Sequence, residues 1–84
     1  MVEEGDLVAI FHSIHRVMKA EKLLKQAGKP IMLIPVPREL TSDCGLAIRF
    51  ASELRDEIEA LLAAEGLKIQ ELHQRRGRKY LALN

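Results

Sequence analysis

The sequence predicts a ferredoxin-like βαββαβ sandwich, an α+β fold in which two helices cover one face of a four-stranded antiparallel sheet. Two observations predict it. Short apolar runs occur at residues 6–13, 30–36, 45–52 and 67–73, and helical apolar spacing fills the first and third intervals between them. Right-handed crossovers then place both helices on one side of the sheet and make the first and third strands central.

The first strand and the first helix follow from residues 6–28. The run DLVAIFHS at 6–13 is short and apolar, as in a strand that is buried on at least one face. Ser13 is a typical N-cap residue, and Gly28 stands where helices commonly end. Between them, apolar residues recur at spacings of three and four, which predicts a helix with one buried side: Val17, Ala20, Leu24 and Ala27.

The second and third strands differ in their expected positions. The run PIMLIPV at 30–36 has a proline at its start and another near its end, and proline cannot donate a hydrogen bond to a neighbouring strand. This strand is therefore expected at an edge of the sheet. The run GLAIRFAS at 45–52 alternates larger apolar residues with alanine and arginine, which predicts a half-buried strand.

The last third of the chain predicts a second helix, a fourth strand and a hairpin. Ser52 is expected to cap the helix, and Gly66 to end it. Its buried stripe is Leu54, Ile58, Leu61 and Leu62. LKIQELH at 67–73 is the expected fourth strand, and the glycine of QRRGRK favours a turn into a possible extra C-terminal strand. Any dimer formed by sheet extension is expected at the fourth strand or the C-terminal segment.

Composition limits the class of protein. A chain of 84 residues supports one domain, here expected over 1–84, and 48% hydrophobic with 30% charged residues is a globular balance. A single cysteine cannot form an internal disulfide. The N-terminal residues are acidic where a signal peptide is basic, and no apolar run approaches the ~20 residues of a membrane span. A cytoplasmic protein without a membrane partner is expected.

The distribution of charge argues against nucleic acid as a partner. Residues 1–72 carry nine basic and twelve acidic side chains, and the remaining positive charge is concentrated in the QRRGRK turn. An acidic body repels phosphate groups, and two Phe, one Tyr and no Trp leave few side chains for stacking on bases.

The stretch IPVPRELTSDCG at 34–45 holds the only cysteine, Cys44, at the end of a loop. In the predicted topology the second strand is parallel to the first, so this loop lies at the end of the sheet where the first helix begins, near Ser13. The unpaired N–H groups and the dipole of a helix N-terminus stabilise an anion such as a thiolate or a persulfide. The thiolate is the nucleophile in thiol chemistry.

Neighbouring residues are expected to support this thiol. His12, His15 and Arg38 can add positive charge or hydrogen bonds, and Gly45 leaves the backbone beside the sulfur open to an approaching molecule. Asp43 works against the thiolate.

Structural interpretations of the same residues stand beside these. A lone cysteine is often a small buried hydrophobe. His12 and His15 have a spacing seen among metal ligands, but one cysteine and no fixed acidic ligand do not make a zinc site. Ser13 is most simply an N-cap, because no base and acid partners for a hydrolytic triad are identifiable. Neither a metal nor a cofactor is expected.

Two segments, FHSIHRVMKAEKLLKQAG and LIPVPRELTSDCGLAIRF, resemble the putative selenium/sulfur carrier protein-like family, formerly a domain of unknown function. The resemblance runs from about residue 8 to residue 50. It implies that Cys44 carries sulfur or selenium as a persulfide or perselenide. The family's HS-x-H element falls on His12, Ser13 and His15, and its Pro-Arg-Glu element on 37–39, without an assigned role.

Two functions are therefore considered. The first is a sulfur or selenium carrier, not itself an enzyme, in which Cys44 receives its cargo from a donor such as a cysteine desulfurase and passes it to an acceptor protein. The second is a regulatory or interaction module that dimerises or binds a small ligand through its open sheet face or its edge strands. In that case the 34–45 loop is a structural or recognition element.

Overall fold

The computed structural model describes all 84 residues as an α+β fold with two helices and a five-stranded antiparallel sheet. The elements are β1 (Leu7–Ile10), α1 (Ile14–Gln26), β2 (Met32–Pro35), β3 (Leu46–Phe50), a 3₁₀ turn (Ser52–Leu54), α2 (Arg55–Ala64), β4 (Glu71–Arg76) and β5 (Lys79–Ala82). The strand order is β2-β3-β1-β4-β5. The expectation of four strands is therefore too low by one, because the C-terminal segment forms a full strand.

The strand order confirms some positions and corrects one. β1 and β3 lie inside the sheet and β2 lies at an edge, as predicted from its prolines. β4 and β5 are joined by the two-residue turn Gly77-Arg78, in which Gly77 has a φ of 63°. Because β5 pairs along the outer side of β4, the fourth strand is not an edge, and sheet extension there is excluded. Only β5 and β2 have open edges.

β4 also begins later than the apolar pattern predicts. Residues 67–70 form no strand, although Leu67 and Ile69 are buried in the core. The amide of Leu67 instead donates to the carbonyl of Leu62 to finish α2, and the amide of Gln70 donates to the carbonyl of Ile10. Regular pairing with β1 starts only at Glu71, opposite Ile10.

The two faces of the sheet have separate apolar clusters. On the helix side, alternate residues of the central strands pack against both helices in a core of thirteen buried residues. The helix-free side has five: Val2, Val8, Ile10, Ile34 and Ala47. Val36, Leu40 and Tyr80 pack over this smaller cluster. The first half of the 36–45 loop therefore covers the sheet face that the helices leave open.

The two helices begin in different ways. Ser13 caps α1 as predicted, since its Oγ accepts a hydrogen bond from the Arg16 amide at 3.3 Å. Ser52 does not cap α2, which is a correction to the sequence-based expectation. It starts the 3₁₀ turn and its hydroxyl donates to Glu53, while the N-cap position of α2 is Leu54, without a side-chain cap.

Both helices end at a glycine with positive φ. At the end of α2, the amide of Gly66 (φ 72°) donates to Ala63 and the amide of Leu67 donates to Leu62, the two bonds of a Schellman motif. No atom lies within 4 Å of a Cβ added at Gly66, so a larger residue meets no clash and is opposed only by the backbone conformation.

Replacing Gly66 with Ala is expected to lower the free energy of unfolding by about 1 kcal/mol, because an L-residue is disfavoured at this φ. Urea denaturation measures the change. Gly66→Asn is the matched control and should lose less, because asparagine tolerates the left-handed region. An alanine variant as stable as the wild type would contradict the prediction.

Neither helix is long and apolar enough to cross a membrane.

Candidate functional site

Cys44 lies near the end of the loop that joins β2 to β3. The loop leaves the sheet after Pro35 of β2, which pairs with Leu46 of β3. On the other side of β3, β1 ends at Ile10, which pairs with Ala47. β1 and β2 therefore end on the same side of the sheet. The loop and the start of α1 share this end, as the topology predicts. Below, this region is called the thiol end.

Cys44 is held by three short-range contacts, two made by its thiol and one by its backbone amide. Its Sγ donates to the carbonyl of Leu46 at 3.5 Å and lies 3.6 Å from the hydroxyl of Ser42. Its amide donates to the same hydroxyl at 3.4 Å. The side chain is half-buried and packs against the edge of the helix-side core. The sulfur is thus neither sealed in the core nor fully exposed.

None of the residues expected to support the thiol makes a hydrogen bond to it. Ser13 is engaged as the cap of α1, whose first turn contains no acidic residue to neutralise the positive end of the helix dipole. His15, Arg38 and Gly45 are exposed, and so is Asp43. Neither His15 nor Arg38 has a side-chain hydrogen bond or an ion pair, so both remain free to meet a ligand or a partner.

The side chain of His12 bonds to Glu71 and not to Cys44. Its Nε2 makes a short hydrogen bond with Oε2 of Glu71, and Nε2 of His73 lies 2.9 Å from the other oxygen of the same carboxylate. Glu71 is opposite Ile10, whose side chain belongs to the helix-free cluster, whereas Cys44 packs on the helix side. The structure therefore groups His12 with a carboxylate and a second histidine.

This group was not identifiable from the sequence. His12 and Glu71 are separated by 59 positions, and the strand predicted at 67–73 carried no register with the first strand. The signal that reveals the contact is the pairing register of β1 with β4. His12 also has a positive φ of 56°, unusual for a residue other than glycine, as the chain turns from β1 into α1.

The hydrogen bonds with His73 and His12 lower the pKa of Glu71 below the ordinary glutamate value of 4.5. A carboxyl group whose pKa is lower in the folded than in the unfolded protein stabilises the fold at pH values above the unfolded-state pKa. This stabilisation disappears as the pH falls through the folded-state pKa. Because 42% of the Glu71 side chain is exposed, solvent screening keeps its contribution below about 1 kcal/mol.

Replacing Glu71 with Gln should therefore flatten the loss of stability on the acid side of pH 4.5. Urea denaturation at a series of acidic pH values measures this dependence. Glu59→Gln is a control of the same chemistry, since Glu59 makes only an exposed i, i+4 pair with Arg55. Equal acid-side slopes in the Glu71 variant and the wild type would contradict the role of the two histidines.

No group of three or more His, Cys, Asp and Glu side chains is arranged to hold a metal ion. A pocket of about 470 Å³ lies on the helix-free side. It is lined by Pro35, Val36, Pro37 and Glu39 of the loop together with Arg75, Arg78 and Tyr80 of the hairpin. Burial raises the pKa of the Tyr80 hydroxyl there. Cys44 is not part of this pocket.

Comparisons with known proteins give one match. The chain matches a family model described as "Putative Se/S carrier protein-like" over residues 6–74, which includes the loop with Cys44 and the His12, Glu71 and His73 group. Most of the β4–β5 hairpin lies beyond the matched range. Neither the curated proteins nor the solved structures give a match. The 84-residue chain, matched over most of its length, belongs to the putative Se/S carrier protein-like family.

Proposed function

We propose that this protein is a sulfur or selenium carrier and that Cys44 holds the cargo as a persulfide or its selenium counterpart. The observation that carries the proposal is the position of the thiol. Cys44 is half-buried at the end of the sheet where α1 begins, within a stretch matched by the Se/S carrier family model. Family membership supports the carrier role, and the geometry supports this cysteine as its site.

The transfer step is an exchange between two sulfur atoms. The thiolate of Cys44 attacks the terminal sulfur of a donor persulfide, R–S–SH. A bond forms between Cys44 Sγ and that sulfur, the S–S bond of the donor breaks, and its electron pair leaves on the donor thiolate, R–S⁻. The proton stays on the transferred sulfur, so the product is Cys44–S–SH. The exchange needs no external oxidant or reductant.

The surroundings of Cys44 suit this exchange. The start of α1 offers N–H groups and the positive end of its dipole to an anionic sulfur. Ser42, within 3.6 Å of Sγ, can hydrogen-bond either the thiolate or the persulfide. The exposed His15 and Arg38 are available to screen negative charge on an approaching donor. The carrier itself turns over no substrate. We expect it in a reducing compartment such as the cytoplasm, where the thiol is not lost to disulfides.

The test measures the mass of the protein by mass spectrometry in two samples. The first is protein purified without reductant, and the second is the same protein after incubation with a cysteine desulfurase and L-cysteine. We expect one added sulfur that is removed by dithiothreitol and that maps to the peptide containing Cys44. A parallel incubation with a donor loaded with a perselenide, R–S–SeH, asks which element is retained. If no sulfur or selenium is added under either condition or by polysulfide, the carrier function is wrong.

A specific observation also favours the second function, an interaction module. The pocket on the helix-free side is lined in part by the loop segment 35–39, which lies within the range matched by the family model. In that case the loop recognises a small ligand, and Cys44 serves packing. Alkylation separates the functions: iodoacetamide on Cys44 removes carrier activity, whereas ligand binding in the helix-free pocket persists.

A further inference from the structure

We infer that the exposed side of α1 is the docking surface for an acidic partner protein that exchanges sulfur with Cys44. This inference rests on the proposed function and adds the surface and the charge of the partner. It begins with the contrast between the two helices. Residues 13–29, around α1, carry five basic side chains and one acidic, whereas residues 52–66, around α2, carry one basic and five acidic.

The basic residues of α1 are incompletely paired within the molecule. Lys25 pairs with Glu21 at 3.1 Å and Lys29 pairs with Glu57 at 3.3 Å. Arg16, Lys19 and Lys22 make no ion pair and are exposed. Glu65 lines the same shallow depression as Lys19 and Lys22 without bonding to either. Three cations on adjacent turns are thus available to an acidic surface.

Apolar side chains lie among these cations. Ile14 and Met18, one turn apart on α1, are 45% and 42% exposed, and α2 has no comparably exposed large apolar residue. Positions i, i+4 and i+8 share one side of a helix, so Ile14, Met18 and Lys22 form a continuous stripe. Methionine and arginine are enriched in protein interfaces, which usually have an apolar centre within a polar rim.

The position of this stripe connects it to the thiol. Ile14 is the first residue of α1 and therefore lies at the thiol end. A protein seated on the stripe reaches over the end of the sheet where the loop presents Cys44. Electrostatic complementarity mainly accelerates association, which suits a carrier that binds and leaves its partners.

A protein partner fits this surface better than nucleic acid does. A phosphate backbone offers no apolar side chain to contact the exposed Ile14 and Met18, whereas a protein surface does. Two exposed apolar residues also bury too little area for a stable homodimer, which favours a transient contact with an acidic protein.

The test compares two double variants with the same change in charge. Lys19→Glu with Lys22→Glu alters the proposed surface. Arg76→Glu with Lys79→Glu alters the β4–β5 hairpin, which lies at the opposite end of the sheet because Gln74 pairs with Leu7 and Glu71 with Ile10. Sulfur transfer from each cysteine desulfurase of the source organism to Cys44 is measured by mass spectrometry, at low and at high salt. Alkylation by iodoacetamide and uptake from polysulfide measure the thiol alone.

We expect the α1 variant to slow transfer from the protein donor at least about 10-fold at low salt, with a smaller difference at high salt. The hairpin variant should change transfer less than about 2-fold, and alkylation and polysulfide uptake should stay within about 2-fold in both. Met18→Gln should also slow protein-dependent transfer. Thermal unfolding confirms that the variants are folded.

Equal transfer in the wild type and the α1 variant, or equal losses in both double variants, would overturn the docking surface and leave the carrier function standing. Loading by polysulfide but by no desulfurase would overturn it likewise. A homodimer that the α1 variant abolishes would identify a second copy as the occupant and also overturn it. If neither polysulfide nor any desulfurase loads Cys44, the carrier function itself fails and the docking surface with it.

Discussion

Replacing Cys44 with Ser should abolish loading of sulfur or selenium while leaving the fold intact. Serine has nearly the same shape, and its hydroxyl can donate to the Leu46 carbonyl as the thiol does at 3.5 Å. A hydroxyl is not a soft nucleophile at neutral pH and cannot accept a sulfane sulfur. The measurement is the mass of each protein after incubation with a desulfurase and L-cysteine, with circular dichroism to compare the folds.

Three controls make this result specific to the proposed site. Ser42→Ala removes only the hydroxyl beside Sγ and should slow loading without preventing it. His15→Ala should do the same, whereas His12→Ala should load at the wild-type rate, because the His12 side chain bonds to Glu71. In the wild type, native Cys44 should react faster with iodoacetamide near neutral pH than the same cysteine in urea-unfolded protein. A Cys44→Ser protein that still gains sulfur, or a native thiol no faster than the unfolded one, would contradict the assignment.

Replacing Phe11 with Ala should lower the free energy of unfolding by about 3–5 kcal/mol. Phe11 is only 1% exposed and packs in the helix-side core immediately before the turn into α1. Small domains have total stabilities near the lower end of about 5–15 kcal/mol, so much of the stability should be lost. Urea denaturation followed by circular dichroism measures the change.

Two further variants bracket the Phe11 result. Phe11→Leu retains most of the buried volume and should cost about 1.5 kcal/mol or less. Met32→Ala removes a large apolar side chain that is 46% exposed on the edge strand β2, and should change stability by about 0.5 kcal/mol at most. If Phe11→Ala is no more destabilising than Met32→Ala, then the core around the start of α1 is not packed as described.

Local patterns in the sequence predicted most of the secondary structure. The spacing of Val17, Ala20 and Leu24 correctly identified the buried side of α1, and the prolines of 30–36 correctly placed β2 at an edge. Ala27, the fourth residue of the predicted buried side, is instead exposed at the C-cap of α1. These features depend on neighbouring residues. The start of β4 does not: residues 67–70 look like a strand, but the end of α2 uses the amide of Leu67 in a helix-terminating bond.

The candidate site was predictable only as far as topology goes. The shared end of β1 and β2 follows from the strand order, so the location of the Cys44 loop could be predicted. The bond from His12 to Glu71 depends on the register between two strands far apart in the sequence, which local patterns do not contain. The packing of Val36 and Leu40 on the helix-free face also depends on residues far apart in the sequence, so it could not be predicted from local patterns.

The anchoring of the Cys44 loop determines how far the thiol can travel. The amide of Val36 donates to the carbonyl of Gly45 at 3.0 Å, so the loop is closed by a backbone bond directly beside the cysteine. The Cys44 amide is itself tied to Ser42. Such a thiol cannot swing between two distant centres, unlike cargo on a long flexible arm. If Cys44 carries sulfur as we propose, the mobile segment that closes the distance during transfer belongs to the donor and the acceptor, which have to bring their reacting cysteines to this fixed point.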